Sequence, residues 1–284
     1  MLTIYFKKES EKKGVHIFAS DTVELKTNCL TPSQKKQVNQ ALKQADFKAK
    51  EAEIVSVLGL EYPIFIIGTG ENPSRTSFEK MGGKLASVIK EKNAVYHPTK
   101  KGEEEVLSVA TGMFLSSFKF DKYLTKKKDE KALQEVLFVV ENPSKTSKVF
   151  GENKKILESV CFARALSAEP ANHLTPKIFS EIIEKLSETG LEIDVLSLKE
   201  LKAKKFGMLL SVAQGSQNEP KVAVMKWKGN PKKKSFDIGF VGKGVTFDSG
   251  GISLKPGAGM GDMKQDMTGA GVVTATMGSV ATRH

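Results

Sequence analysis

Residues 239–271, GFVGKGVTFDSGGISLKPGAGMGDMKQDMTGAG, hold ten of the chain's 24 glycines in 33 positions. Set among them are Lys243, Asp248, Lys255, Asp262, Lys264 and Asp266. Glycine lets a backbone approach a ligand closely and takes up positive φ in turns, so charged side chains on such a run can converge on a small target. Three chemistries compete for it. A phosphate loop requires GxxxxGK[ST], which GKGVTFDSGG does not match, and GxGxxG is also absent. A nucleophile elbow requires GxSxG, which DSGG lacks, and its base would come from His16, His97, His173 or His284. A metal site is the third. Asp248 and Asp266 lie eighteen residues apart and suit hard divalent cations such as magnesium or manganese, while zinc also accepts carboxylate. Against the metal stands the commonest work of loop aspartates, capping turns and helix starts. On composition alone that reading has the edge.

The elements that would carry this run are legible as alternating patterns. Apolar, β-branched runs occur at residues 53–58 (EIVSVL), 63–67 (PIFII), 135–140 (EVLFVV), 191–196 (LEIDVL), 221–227 (KVAVMKW) and 237–241 (DIGFV). Helical spacing lies between them, most clearly at residues 176–187, where Ile178, Phe179, Ile182, Ile183 and Leu186 share a face. Thr175 reads as its N-cap, Pro176 as its first residue and Gly190 as its stop. Strands alternating with helices imply an α/β fold with a mainly parallel sheet. The strand at 237–241 would deliver the chain into the glycine run at the carboxyl edge of a sheet, where ligands of open α/β sheets bind.

Two domains are expected. Residues 142–155 (NPSKTSKVFGENKK) have the polar, lysine-rich composition of a linker, and a helix is expected over 156–166. The reading is an N-terminal α/β domain over 1–150 and a second α/β domain over 151–284. In the second, the sheet reaches three strands and is followed by a small-residue helix pattern at 270–281. A parallel sheet must be covered on both faces, so this domain reads as incomplete.

Composition bounds the function classes. The 284 residues contain no apolar run of membrane-spanning length, and the N-terminus turns charged by residue 7, so neither a membrane span nor a secretory leader is expected. Cys29 and Cys161 form no CxxC motif or disulfide framework, which fits the reducing cytoplasm. The net charge of +11 is concentrated upstream of the glycine run; residues 199–234 carry ten lysines and two glutamates. Such a face could attract DNA, although one tryptophan among lysines makes no base-stacking platform and a solvated surface is the favoured reading.

The string VGKGVTFDSGGISLKP (241–256), followed by MKQDMTGAG (263–271), closely resembles the signature region of the leucyl (cytosol) aminopeptidase family. Three upstream segments agree with it: FDKYLTKKKD (120–129), EPANHLTP (169–176) and LLSVAQGS (209–216). The resemblance implies a small N-terminal α/β module, a C-terminal metallopeptidase domain, and removal of N-terminal residues from peptides by a metal-bridging hydroxide. By the same resemblance Lys243, Asp248 and Asp266 are metal ligands, with Asp248 shared between two divalent ions, zinc or manganese. Lys255 matches the catalytic lysine that polarises the scissile carbonyl and binds the substrate, and Met263 lines the pocket for its first side chain. Asp262 and Lys264 match variable positions and are taken as solvated loop charges; His173 is taken as a packing or surface residue. A homo-oligomer, a hexamer in the family, is implied, as are peptide substrates and a cytoplasmic location.

The family pattern also has an Asn-Thr-Asp-Ala-Glu-Gly-Arg segment that supplies further ligands and an arginine holding a bicarbonate base. These 284 residues contain no counterpart to it. Thr268 and Gly271 replace the family's usual glycine and alanine. A C-terminally truncated enzyme, inactive alone, is therefore expected as one alternative, and a DNA-binding relative as another.

Overall fold

The computed structural model describes residues 1–9, 14–99, 102–126, 132–233 and 235–283. His284, Lys234 and part of the 120–129 segment lie outside them. The chain divides into two compact units, Met1–Leu157 and Glu158–His284.

The first unit contains β1 (Thr3–Lys7), β2 (Val15–Ser20), α1 (Pro32–Gln44), β3 (Ile54–Val57), β4 (Ile64–Gly68), α2 (Arg75–Val88), β5 (Asn93–His97), α3 (Glu103–Ser116) and β6 (Glu135–Val139). The six strands form one sheet in the order β1-β6-β5-β2-β4-β3. All pairings are parallel except β3 with β4. Parallel strands are buried on both faces: every residue of β2 is buried, and Ile64, Ile66, Ile67, Val136 and Phe138 are fully inaccessible.

Local chemistry sets the helices. Thr31 caps α1 in a capping box with Gln34, and Pro32 occupies the first turn. Helices α2 and α3 meet at glycines. A Cβ on Gly82 would sit 2.1 Å from the Val109 carbonyl oxygen, and one on Gly112 would sit 1.8 Å from that of Glu79. No larger residue permits that approach.

Strands β1, β2 and β5 were not expected from the sequence. β2 and β5 carry buried histidines, and His16 Nδ1 lies 3.0 Å from His97 Nε2. His16 also stacks on Tyr62, and His97 on Phe18. Burial, joined at His97 by its neighbour, lowers both basicities, His97 to about 3.

A single helix, α4 (Pro143–Ala168), replaces the expected linker over 142–155, and the division between units falls within it. Asn142 Oδ1 accepts from Lys145 N at 3.2 Å and Pro143 opens the helix. Thr146, Phe150, Leu157 and Cys161 are buried at helical spacing while the lysines face water. The polar composition belonged to one side of a helix.

The second unit continues with α5 (Pro176–Glu184), which passes into a 3-10 turn at Lys185–Thr189, then β7 (Glu192–Leu196), α6 (Leu198–Ala203), α7 (Gly207–Ala213), β8 (Val222–Lys226) and α8 (Thr268–Ala281). Thr175 accepts from Ile178 N as N-cap of α5, and Gly190 closes the turn at φ 91°. Two expectations are corrected. The sheet of this unit, among the described residues, is the antiparallel pair β7–β8, not a parallel one. Residues 237–241 form no strand and are exposed: an apolar segment becomes a strand only where a neighbouring backbone bonds it, and none of the described residues pairs with it. The core here is small, built from Leu166, Leu174, Phe179, Ile183 and Met267.

Candidate metal and peptide site

Lys243 reaches the site on a segment held against the start of α8. The Lys243 carbonyl accepts from Ala270 N at 2.8 Å, and Gly242 lies so close to α8 that a Cβ there would be 2.5 Å from the Gly269 carbonyl oxygen. This close passage brings Lys243 Nζ to 2.8 Å from Asp266 Oδ2. Asp266 follows the 3-10 turn Met260–Gln265, directly ahead of the start of α8.

Asp248 and Lys255 are the two ends of a tight loop. Lys255 N donates to the Ser249 carbonyl at 2.9 Å, and Gly250, at φ 97°, has no room for a side chain beside the Ser253 carbonyl. The closure places Lys255 Nζ 2.6 Å from Asp248 Oδ2 and 3.0 Å from the Asp248 carbonyl oxygen. The same ammonium lies 3.3 Å from Met263 Sδ. Asp248 Oδ1 accepts from Gly250 N at 2.9 Å.

The charges act on one another. Lys255, then the Gly250 amide, holds the Asp248 carboxyl below its usual range, and contact with the Asp266 carboxylate raises the Lys243 ammonium. Asp266 Oδ2 is buried yet has no aligned hydrogen-bond donor; the Lys243 ammonium is near enough for an ion pair but out of line. Among the described residues, no group of three or more His, Cys, Asp or Glu side chains converges. The donor set is thus two carboxylates and an amine. Carboxylate oxygens and a neutral amine are donors that a divalent cation accepts, and the buried Asp266 Oδ2 has no aligned donor competing with such an ion, which would have to displace the Lys243 proton.

The structure therefore brings Lys243 together with Asp266, and Lys255 together with Asp248 and Met263. Asp262 is exposed, as is His173. Lys264 differs from its sequence reading: its Nζ donates to the Ala168 carbonyl at 2.9 Å and is half-buried. Its charge places it among the loop's candidates, but local spacing does not reveal its partner, a backbone carbonyl 96 positions away.

Of the basic stretch 199–234, Lys221, Lys226, Lys228 and Lys233 face carboxylates: Glu219, Glu192 with Asp194, Glu192, and Asp237. Pairing of this kind reduces the positive field available to a polyanion.

Known proteins match both units. The family model described as "Cytosol aminopeptidase family, catalytic domain" matches residues 161–284, and the one described as "Cytosol aminopeptidase family, N-terminal domain" matches residues 15–127. The chain belongs to the cytosol aminopeptidase family.

Among curated members, a probable cytosol aminopeptidase of Wolbachia pipientis wMel is 41% identical over 262 residues, covering 88% of this chain and 51% of the relative. Another, from Rhizobium leguminosarum bv. trifolii (strain WSM2304), is 39% identical over 261 residues, covering 87% and 52%. The chain thus spans about half the length of the curated relatives it matches. A mutant tomato leucine aminopeptidase shares the fold at TM-score 0.83 and 21% identity, over 99% of this chain and 59% of that one. The bottromycin maturation enzyme BotP, solved in complex with Mn, matches at TM-score 0.74 and 24% identity, over 94% and 56%. Among the described residues of this family member, no helix is long and apolar enough to cross a membrane.

Proposed function

We propose that the glycine-rich loop is the metal and substrate site of an aminopeptidase that releases N-terminal amino acids from peptides. The supporting observation is the pairing of each lysine with a carboxylate on this loop, with Asp266 Oδ2 buried and lacking an aligned donor. Asp248, Asp266 and Lys243 would hold divalent metal, zinc or manganese, and Lys243 would ligate as the neutral amine after releasing its proton. When bound, the metal supplies Lewis acidity and a nucleophilic water.

The chain's own residues do the rest. Lys255 lies between Asp248 and Met263, and its ammonium polarises the scissile carbonyl and stabilises the oxyanion that develops there. Met263 offers the substrate's first side chain an apolar, adaptable wall. The Gly250 amide and the loop closure at Ser249 hold Asp248 in place. A cytoplasmic homo-oligomer belongs to the same reading, as does a bicarbonate base in a complete enzyme.

Two observations favour a second reading, in which these residues form only part of the working site. The Asn-Thr-Asp-Ala-Glu-Gly-Arg segment has no counterpart in them, and Ile238, Val241, Ile252 and Leu254 around the loop are exposed. Hydrolysis of leucine amide with added Mn2+ or Zn2+ separates the two. The first reading expects metal-dependent turnover that Lys255→Ala lowers by about 10²–10³-fold, the usual loss when an oxyanion donor is removed. Equal background in both proteins would overturn it and favour the second.

A further inference from the structure

Asp266 is the most buried of the four charged groups in the site, and its neighbours in sequence are tied to one place. Lys264 Nζ donates at 2.9 Å to the carbonyl of Ala168, the last residue of α4. Thr268 Oγ1 lies 3.0 Å from Ser167 Oγ in the same last turn and donates at 2.6 Å to the Gln265 carbonyl. Between them Met267 is fully buried and clusters with Leu166 and Leu174.

We propose that Lys264 is a positioning residue: its ammonium, seated on the C-terminal carbonyl of α4, fixes the 3-10 turn Met260–Gln265 so that Asp266 presents its carboxylate to the metal. The inference rests on the metal reading above. The last carbonyls of a helix have no intrahelical partner and carry the negative end of its dipole, so a cation there is held by charge as well as by a hydrogen bond. Met267 and Thr268 fix the chain on the C-terminal side of Asp266; Lys264 supplies the attachment on the N-terminal side. With both sides held, the carboxylate keeps one orientation, and ligands whose supports are removed typically lose 10–100-fold in metal affinity.

The test uses the full 284-residue chain, with Lys264→Met, which keeps the aliphatic stem, and Lys264→Arg, which keeps the donor charge. Amide hydrogen exchange reads the anchor and Mn2+ titration reads its consequence. In Lys264→Met, exchange at residues 263–268 should quicken by about tenfold and Mn2+ should bind about tenfold more weakly. The thermal midpoint should stay unchanged, and Lys264→Arg should restore both properties. Unchanged exchange and affinity in Lys264→Met, or a loss that arginine does not restore, would overturn the positioning role and leave the metal reading standing. An unsubstituted chain that binds no Mn2+ would overturn the metal reading and this role with it.

Discussion

In the N-terminal unit, Val15, Ile17, Ile64, Ile66 and Ile67 are wholly inaccessible within a six-stranded sheet. In the C-terminal unit, Ile238, Val241, Ile252 and Leu254 stand in solvent beside the charged loop, and the described sheet has two strands. The first region puts its apolar residues into a closed core. The second puts its glycines and charges into a loop whose shape comes from close backbone passages, at Gly242 with Gly269 and at Gly250 with Ser253. If the loop holds the proposed site, stability and chemistry are separated in sequence, and substitutions in the two regions should fail in different ways.

The largest stability effect belongs to the sheet. Phe18 is buried in β2 and stacks on His97 at 4.3 Å; Phe18→Ala should cost about 3–5 kcal/mol, read by chemical denaturation. Mn2+ uptake at the loop should be unchanged wherever the protein remains folded. A parallel loss of Mn2+ binding under native conditions would break the separation.

Acid should act on the same region next. His97 is depressed from 6.5 to about 3 by burial, with His16 adding to the effect. The folded state holds His97 neutral, whereas the unfolded chain takes up the proton below its ordinary pKa. Stability from this group is therefore complete above pH 6.5 and is lost as pH falls toward 3. The loss should reach about 2–3 kcal/mol between pH 6.5 and 4.5. His97→Phe should flatten that dependence in denaturation curves; an unchanged slope would remove the histidine pair from the account.

A smaller effect sharpens the contrast from the other side. Thr175 caps α5 through Ile178 N, and Thr175→Ala should cost about 1 kcal/mol. Because α5 contributes Phe179 and Ile183 to the small second core, that modest loss should show in the C-terminal unit's hydrogen exchange and leave β2 protected.

Much of this was legible in the sequence, for identifiable reasons. Five of the apolar runs are strands, and Thr175, Pro176 and Gly190 act as cap, first turn and stop. Such signals are local, so one segment carries them. β2 and β5 were missed because His16, Ser20 and His97 read as polar, and only the parallel neighbours on either side bury them. The stretch at 142–155 was misread because composition ignores phase: its buried residues, Thr146 and Phe150, recur at helical spacing among solvated lysines. Residues 237–241 went the other way, an apolar run without a pairing neighbour. In the candidate site, residue type marks Lys243, Asp248, Lys255, Asp262, Lys264 and Asp266 alike; the family resemblance sets Lys264 aside as a solvated charge, and its partner, a distant carbonyl, leaves no local trace.

The most direct test of the central claim is Mn2+ stoichiometry, by titration of the 284-residue chain and of Asp248→Asn. With Lys243, Asp248 and Asp266 as the ligand set and Asp248 shared, up to two tightly held ions per chain are expected, lost on the substitution. No uptake, or uptake indifferent to Asp248→Asn, would contradict it.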